Sequence, residues 1–402
     1  MAGVAEKARF YLERSVPQLR EWEEKGIFSK DEIRTIVQKR NDFEHRVLSP
    51  GNKPSEWSSY AKWEQSLEAL RTKRCKRLKV RHMNSAYAGQ SRVMAIYERS
   101  VNKYPSSGEL WYEYLAYLAT IKAAKRWRKT MTSALRMKPT DPDLWIMAGR
   151  RSAHNGDMAS ARSFFMRGCR FCTKDSRLWL EYARCEMQWL AKVDKRKGAQ
   201  KNDPLRSDRA EDDDELRLLA SDNDDDDEDE DDGEPENRMP EASNLEADVI
   251  DKKSRQALES NPAMDGAIPM SIFDISQKQA FFDPEFAEMF FILVASFRHV
   301  SVQQRISQHI LDSLDTLFPN HPSICSCHIR QPILGISPHT VDFVQNLRDV
   351  LIRTTELLKS TTDRSALIQK TIAWMDEYLA LDDLDQGIRA VLERTKGKLA
   401  AS

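Results

Sequence analysis

Apolar side chains along this chain return at helical spacing rather than alternating. Across residues 32–48 they fall at Ile33, Ile36, Val37, Phe43 and Val47, and beyond Asp283-Pro284 at Phe286, Met289, Phe290, Leu293 and Phe297. Both runs predict amphipathic helices, because residues three and four apart share one helix face. A longer period is laid over this one. Leu110-Trp111, Leu144-Trp145 and Leu178-Trp179 recur every 34 residues. The same frame carries Tyr97, Met131 and Phe165, then Ser100, Ala134 and Gly168, then Tyr114, Ala148 and Tyr182, with Pro105 and Pro139 one period apart. A large ring in one column and a small residue in another suit two antiparallel helices: the ring fills the gap between them, and the small residue lets them approach. The expected fold class is all-α, a solenoid of antiparallel helix pairs.

Within one unit, helix A starts near Trp111 and helix B covers 124–138, broken by Lys138-Pro139-Thr140. The next helix opens at Asp141-Pro142-Asp143, where Asp caps and Pro tolerates the first turn, and Asn155-Gly156-Asp157 supplies the turn inside the following pair. An earlier, longer copy starts at Trp57, and its roughly twenty extra residues are expected between its two helices, at 70–88. Residues 32–48 read as a helix B without a clear partner, a cap or half-repeat. Further helices are expected at 302–317, ending before Pro319, and at 341–358, 365–379 and 384–396, with 324–340 unassigned. The expected organisation is N-terminal helices over 1–50, repeats over 51–194, an acidic insertion over 195–269 and C-terminal helices over 270–402.

Composition agrees with helix. Among 402 residues there are only 14 Gly and 16 Pro, too little turn chemistry for a sandwich or barrel. The formal net charge of −1 is a cancellation. Residues 1–200 hold 41 Lys and Arg against 22 Asp and Glu, while 211–236 hold 17 acids and one Arg. That acidic block repels itself, cannot bury enough surface to offset the entropy of ordering, and is expected to be disordered. The longest apolar run, 289–295, is too short to span a bilayer, and no secretory leader is apparent at the N-terminus. Six Cys without such a leader suggest free thiols in a reducing compartment.

No Gly-rich phosphate loop, His-Glu-x-x-His, nucleophile elbow or paired-carboxylate signature occurs, so no catalytic residue, cofactor or small-molecule substrate is expected. Cys169-x-x-Cys172 and Cys325-Ser-Cys327-His328 hold enough donors for zinc, but Cys169 follows the small-residue column and reads as core, so no metal is expected. The densest chemistry is cationic. Arg71, Lys73, Arg74, Lys76, Arg77, Lys79 and Arg81 crowd one short stretch, and Lys122, Lys125, Arg126, Arg128 and Lys129 form a second where helix A meets helix B. If the repeats stack, both face one edge, and such clusters suit RNA phosphates without reading base sequence. The bland alternatives are a nuclear-import signal or a solvated face. Ser221, followed by acids, is a candidate phosphorylation site. The expected packing residues are Trp57, Tyr60, Tyr97, Trp111, Tyr114, Met131, Ala134, Trp145, Phe165, Gly168, Trp179 and Tyr182.

Trp57, Tyr60 and Glu64, then Trp179, Tyr182 and Glu186, with Ile96-Tyr97-Glu98-Arg99-Ser100-Val101 before Pro105, resemble the half-a-TPR, or HAT, repeat. Other units depart from it: Leu118 replaces the Glu of one, and Ala148 and Ser152 replace the Tyr and Glu of the next. The block from Phe10-Tyr11-Leu12-Glu13-Arg14 through Gly26-Ile27-Phe28-Ser29, Arg40 and Asp42-Phe43-Glu44 is similar to the opening of the U-three small nucleolar RNA-associated protein six family. That resemblance implies a non-enzymatic nucleolar scaffold of the small-subunit processome, in its UTP-B subcomplex. It further implies WD-repeat propeller partners, phosphate contact with pre-ribosomal RNA and U-three small nucleolar RNA, and a part in maturation of small-subunit ribosomal RNA. The rival readings are a HAT scaffold of pre-mRNA splicing or 3′-end processing, and an acidic chaperone of histones or ribosomal proteins.

Overall fold

The computed structural model describes residues 2–80, 82–202 and 265–400. They are helical, as the periodicity predicts, and no strand occurs among them. No helix among them is long and apolar enough to cross a membrane. The chain forms two compact units, Met1–Pro139 and Thr140–Ser402.

The first unit comprises α1 (Ala2–Glu13), α2 (Val16–Glu24), α3 (Lys30–Leu48), α4 (Pro54–Leu78), α5 (Ala88–Lys103), α6 (Gly108–Thr120) and α7 (Ala124–Met137). Ser29 starts α3 with a capping box: its side chain accepts the Glu32 N–H, and the Glu32 carboxylate accepts the Ser29 N–H. Trp111 donates its indole N–H to the Pro105 carbonyl, 2.9 Å away, tying the start of α6 to the chain break after α5.

The second unit comprises α8 (Pro142–His154), α9 (Met158–Phe171), α10 (Ser176–Asn202), α11 (Ala267–Ser276), α12 (Pro284–Ala295), α13 (Gln303–Leu317), α14 (Pro322–Arg330), α15 (Val341–Ser360), α16 (Arg364–Leu379) and α17 (Gln386–Ala400). Asp141 caps α8 and Asp283 caps α12, each followed by Pro in the first turn. The chain re-enters on α10: α11 and α12 pack against it, the Trp179 and Phe281 rings lie 6.0 Å apart, and Asp194 accepts the Ser301 N–H at 2.7 Å. The last helices close on Phe343, Trp374 and Met375, all buried.

One joint recurs at three steps from a helix B to the next helix A. Phe43 of α3 stacks on Tyr60 of α4 at 5.1 Å and 8°, and Phe165 of α9 on Tyr182 of α10 at 5.1 Å and 8°; Tyr97 of α5 stacks on Tyr114 of α6 at 5.5 Å and 16°. One turn along from the ring, an Arg of helix B meets a Glu of helix A. Arg162 donates to Glu186 at 2.7 and 2.9 Å; Arg40 donates to Glu64 through Nε at 3.2 Å and also through Nη2. Each pair stands 24 residues apart. At the α5–α6 joint both ionic partners are absent together, with Met94 and Leu118 in their columns. Around the first joint the network extends: the Tyr60 hydroxyl donates to Glu44 at 2.9 Å, and Glu44 accepts Arg99, whose guanidinium lies 3.9 Å from the Tyr11 ring centroid. Burial, then the charges of Glu44 and Glu64, push the Tyr60 phenol far above its ordinary range.

Gly168 shows why a small residue is needed at its column. A Cβ there would stand 2.8 Å from Leu178 Cδ2 and 2.9 Å from Trp145 Cβ. All twelve expected packing residues are buried.

Four expectations need correction. The extra residues of the long copy do not all lie between its helices, because α4 continues unbroken to Leu78: Leu67, Arg71 and Cys75 extend its buried stripe over α2 and α3. The helix over 32–48 has partners, packing against α1, α2 and α4. The last repeat helix does not stop at 194, since α10 runs on to Asn202, and α11 has begun before 269. The unassigned stretch 324–340 is largely α14 followed by turns, with Gly335 at φ +77° under the Ser296 carbonyl.

Urea unfolding tests the joint and the close approach. Gly168→Ala should destabilise the chain by about 1–3 kcal/mol through overpacking. Glu64→Ala, which leaves Arg40 buried without its carboxylate, should cost about 3–5 kcal/mol.

Candidate nucleic-acid interface

The basic stretch is not a loop but the last two turns of α4 and the tight turn after it. Position on the helix divides its cations. Arg71, on the buried stripe, donates Nε and Nη2 to Glu68 at 2.9 and 2.5 Å and reaches the Ala86 carbonyl at 3.2 Å. Arg74 lies 4.6 Å from the Phe28 ring centroid and donates to Glu32 at 2.7 and 2.8 Å and to the Ile27 carbonyl at 3.0 Å. Both hold α4 against its neighbours, and a guanidinium with its donors committed to internal carboxylates and carbonyls has little left for a phosphate. Lys73, Lys76, Arg77 and Lys79 are exposed. Arg81 lies outside the described residues, as does Ser221.

The turn after α4 is held in place by one carboxylate. Lys79 adopts the left-handed conformation, φ 54°, and Glu21 of α2 accepts the backbone N–H groups of Asn84 and Ser85 at 2.8 and 2.9 Å. Lys25, paired with Glu21 at 2.7 Å, also donates to the His82 carbonyl.

The second cluster begins at Lys122, left-handed at φ 59°, and occupies the first turns of α7. Lys122, Lys125, Arg126, Arg128 and Lys129 are all exposed. This helix start has no acidic residue in its first turn and no side-chain cap. Cations there oppose the helix dipole, whereas Lys76 and Arg77 at the end of α4 are favoured by theirs. Stability of α4 therefore accounts for part of the first cluster. It does not account for the second.

Both clusters belong to the first unit. Ser58 and Lys62 of α4 reach Glu113 of α6 at 2.8 and 2.7 Å. Burial, then the Glu68 carboxylate, raise the Tyr117 phenol. The cysteines form no such assembly: Cys169 and Cys172 are buried, their thiols pushed up to about 12 and about 11, chiefly by burial. No group of three or more metal-ligating side chains occurs among the described residues.

Sequence reasoning missed the carboxylates that position the first cluster. Glu21 carries no motif, and Glu32 carries only the capping-box signature Ser29-x-x-Glu32, which marks a helix start and not a partner for the basic helix.

Stacked helix pairs with charged outer faces define a helical-repeat protein whose working parts are surfaces. The family model of U3 small nucleolar RNA-associated protein 6 matches residues 12–96. The protein of that name in Schizosaccharomyces pombe is 34% identical over 193 residues, covering 47% of this chain and 40% of its own. The human and mouse homologues are each 27% identical over 197 residues, covering 48% of this chain and 33% of theirs. The matched region thus spans well under half the length of these relatives. Over its N-terminal half the chain is similar to the U3 small nucleolar RNA-associated protein 6 family, the resemblance that the block from Phe10 to Glu44 led one to expect.

The two positioning carboxylates predict an acid response. For Glu21, hydrogen bonds from Lys25, Ser85 and Asn84 outweigh burial and lower the value to about 2; for Glu32, Arg74 and then the Ser29 N–H do the same. Their ordinary value is 4.5. A carboxylate lowered in the folded state contributes stability in full above its unfolded value and loses it as pH falls towards the folded one. Stability should therefore decline between pH 4.5 and about 2, and Glu21→Gln with Glu32→Gln should flatten that decline in pH-dependent urea titrations.

Proposed function

We propose that the chain is a non-enzymatic HAT-repeat scaffold of small-subunit ribosome assembly, associated with U3 small nucleolar RNA particles in the nucleolus. The observation that carries this reading is the family match over 12–96, the stretch that holds the α2–α4 assembly and the first basic cluster. Relatives over that stretch are named for association with U3 small nucleolar RNA. Repeated helix pairs offer extended surfaces suited to holding other macromolecules, and WD-repeat propellers of the UTP-B subcomplex are the proposed protein partners. The proposed RNA contact is the edge formed by Lys73, Lys76, Arg77 and Lys79 with Lys122, Lys125, Arg126, Arg128 and Lys129. It engages phosphates of pre-ribosomal or U3 RNA, without base readout.

Replacing Lys73, Lys76, Arg77 and Lys79 by Ser leaves the internal pairs of Arg71 and Arg74 intact, so the melting temperature should stay near that of the parent. RNA affinity should fall, and the slope of log affinity against log salt should flatten by about 0.7 for each single-strand phosphate that is no longer neutralised. Unchanged affinity and slope in a folded variant would reject the RNA edge.

A further inference from the structure

The second unit carries a groove that neither the repeat motif nor the RNA edge uses. It runs between α8 and α10, two successive A helices, closed at one end by the start of α9, and encloses about 380 Å³. That is the size of a small ligand pocket. Its floor is apolar: Met158 and Cys185 are buried and Trp189 is half-buried. Its rim is cationic, with Arg150 about half exposed at 55%, Arg184 at 48%, and Lys192 exposed. A single carboxylate, Glu181, stands among them, accepting Arg150 Nε at 2.8 Å and lying 3.6 Å from Arg184. Three cations face one acid, so the groove keeps a net positive charge over an apolar base.

We infer that this groove is a docking site for an acidic peptide segment of a partner protein, with one apolar side chain seated on Met158 and Trp189 and flanking carboxylates on Arg184 and Lys192. The inference rests on the scaffold reading and deepens it by naming the chemistry of a partner. Charge complementarity selects an anionic occupant, and the aromatic floor selects peptide over single-stranded RNA. Base stacking needs an open ring face, yet the Trp189 ring is half-buried and already faces the Arg162 guanidinium at 5.0 Å. The groove sulfur is a packing atom: burial, then the Glu181 charge, push the Cys185 thiol up to about 11.

The test uses the full chain and a fluorescent probe, a short Asp/Glu-rich peptide with one central Leu, read by anisotropy. Arg184→Glu with Lys192→Glu, both at the exposed rim, should preserve the melting temperature and weaken peptide binding at least about tenfold. Replacing the central Leu of the probe by Ser should weaken it several-fold. Ser replacement of Lys73, Lys76, Arg77 and Lys79 should leave peptide affinity unchanged, and RNA affinity measured on the same proteins keeps failure of the scaffold's RNA edge distinct from failure of the groove. Equal peptide affinity in the Arg184/Lys192 variant overturns the inference. So does displacement of the peptide from this groove by oligouridine, which assigns it to nucleic acid, or binding seen only after deletion of 211–236, which assigns it to the chain's own acidic tract.

Discussion

The helix B to helix A joint is the constraint on which the rest depends. A stacked ring pair alone tolerates sliding, because apolar contact is non-directional. The Arg–Glu pair beside it does not. Arg40 and Glu64 are essentially buried, with side chains 0% and 2% exposed, and taking two charges out of water is favourable only if each finds the other in good geometry. Ring and ion pair together admit one register between neighbouring helices. Where the pair is replaced by Met94 and Leu118, both columns change, so no charge is left stranded at that joint.

This joint explains what sequence reading recovered and what it missed. The period of 34 residues was visible because three consecutive units keep the same length from one A helix to the next. The lengthened α4 breaks that frame, so α3 looked like a helix without a partner. Spacing across the joint is untouched by the extra length: Phe43 precedes Tyr60 by the same interval as Phe165 precedes Tyr182, and Arg40 precedes Glu64 as Arg162 precedes Glu186. A search keyed on the joint rather than on the whole repeat finds the first copy from sequence.

The cationic site was legible as a cluster but not as a surface. Counting charges cannot separate Arg71 and Arg74 from Lys73, Lys76 and Arg77, since all share one helix. Helical position separates them, because Leu67, Arg71 and Cys75 lie one above another on the face that covers α2 and α3. Guanidinium groups are suited to this inward work, with a long apolar stem and a planar fork that satisfies carboxylates and carbonyls together. Lysines do it less well, and those at the end of α4 are left exposed. The groove between α8 and α10 was not legible, since its residues come from three helices and share no motif.

Helix α10 receives the chain on both sides of a long excursion, with Asn202 at its end and α11 and α12 packed along it. Because departure and return share one support, the helices that follow are placed by contacts with α10 and not by the amino acids in between. A change on α10 is therefore felt on both sides at once: the Trp179 ring belongs to its own repeat and also meets Phe281 of the returning chain.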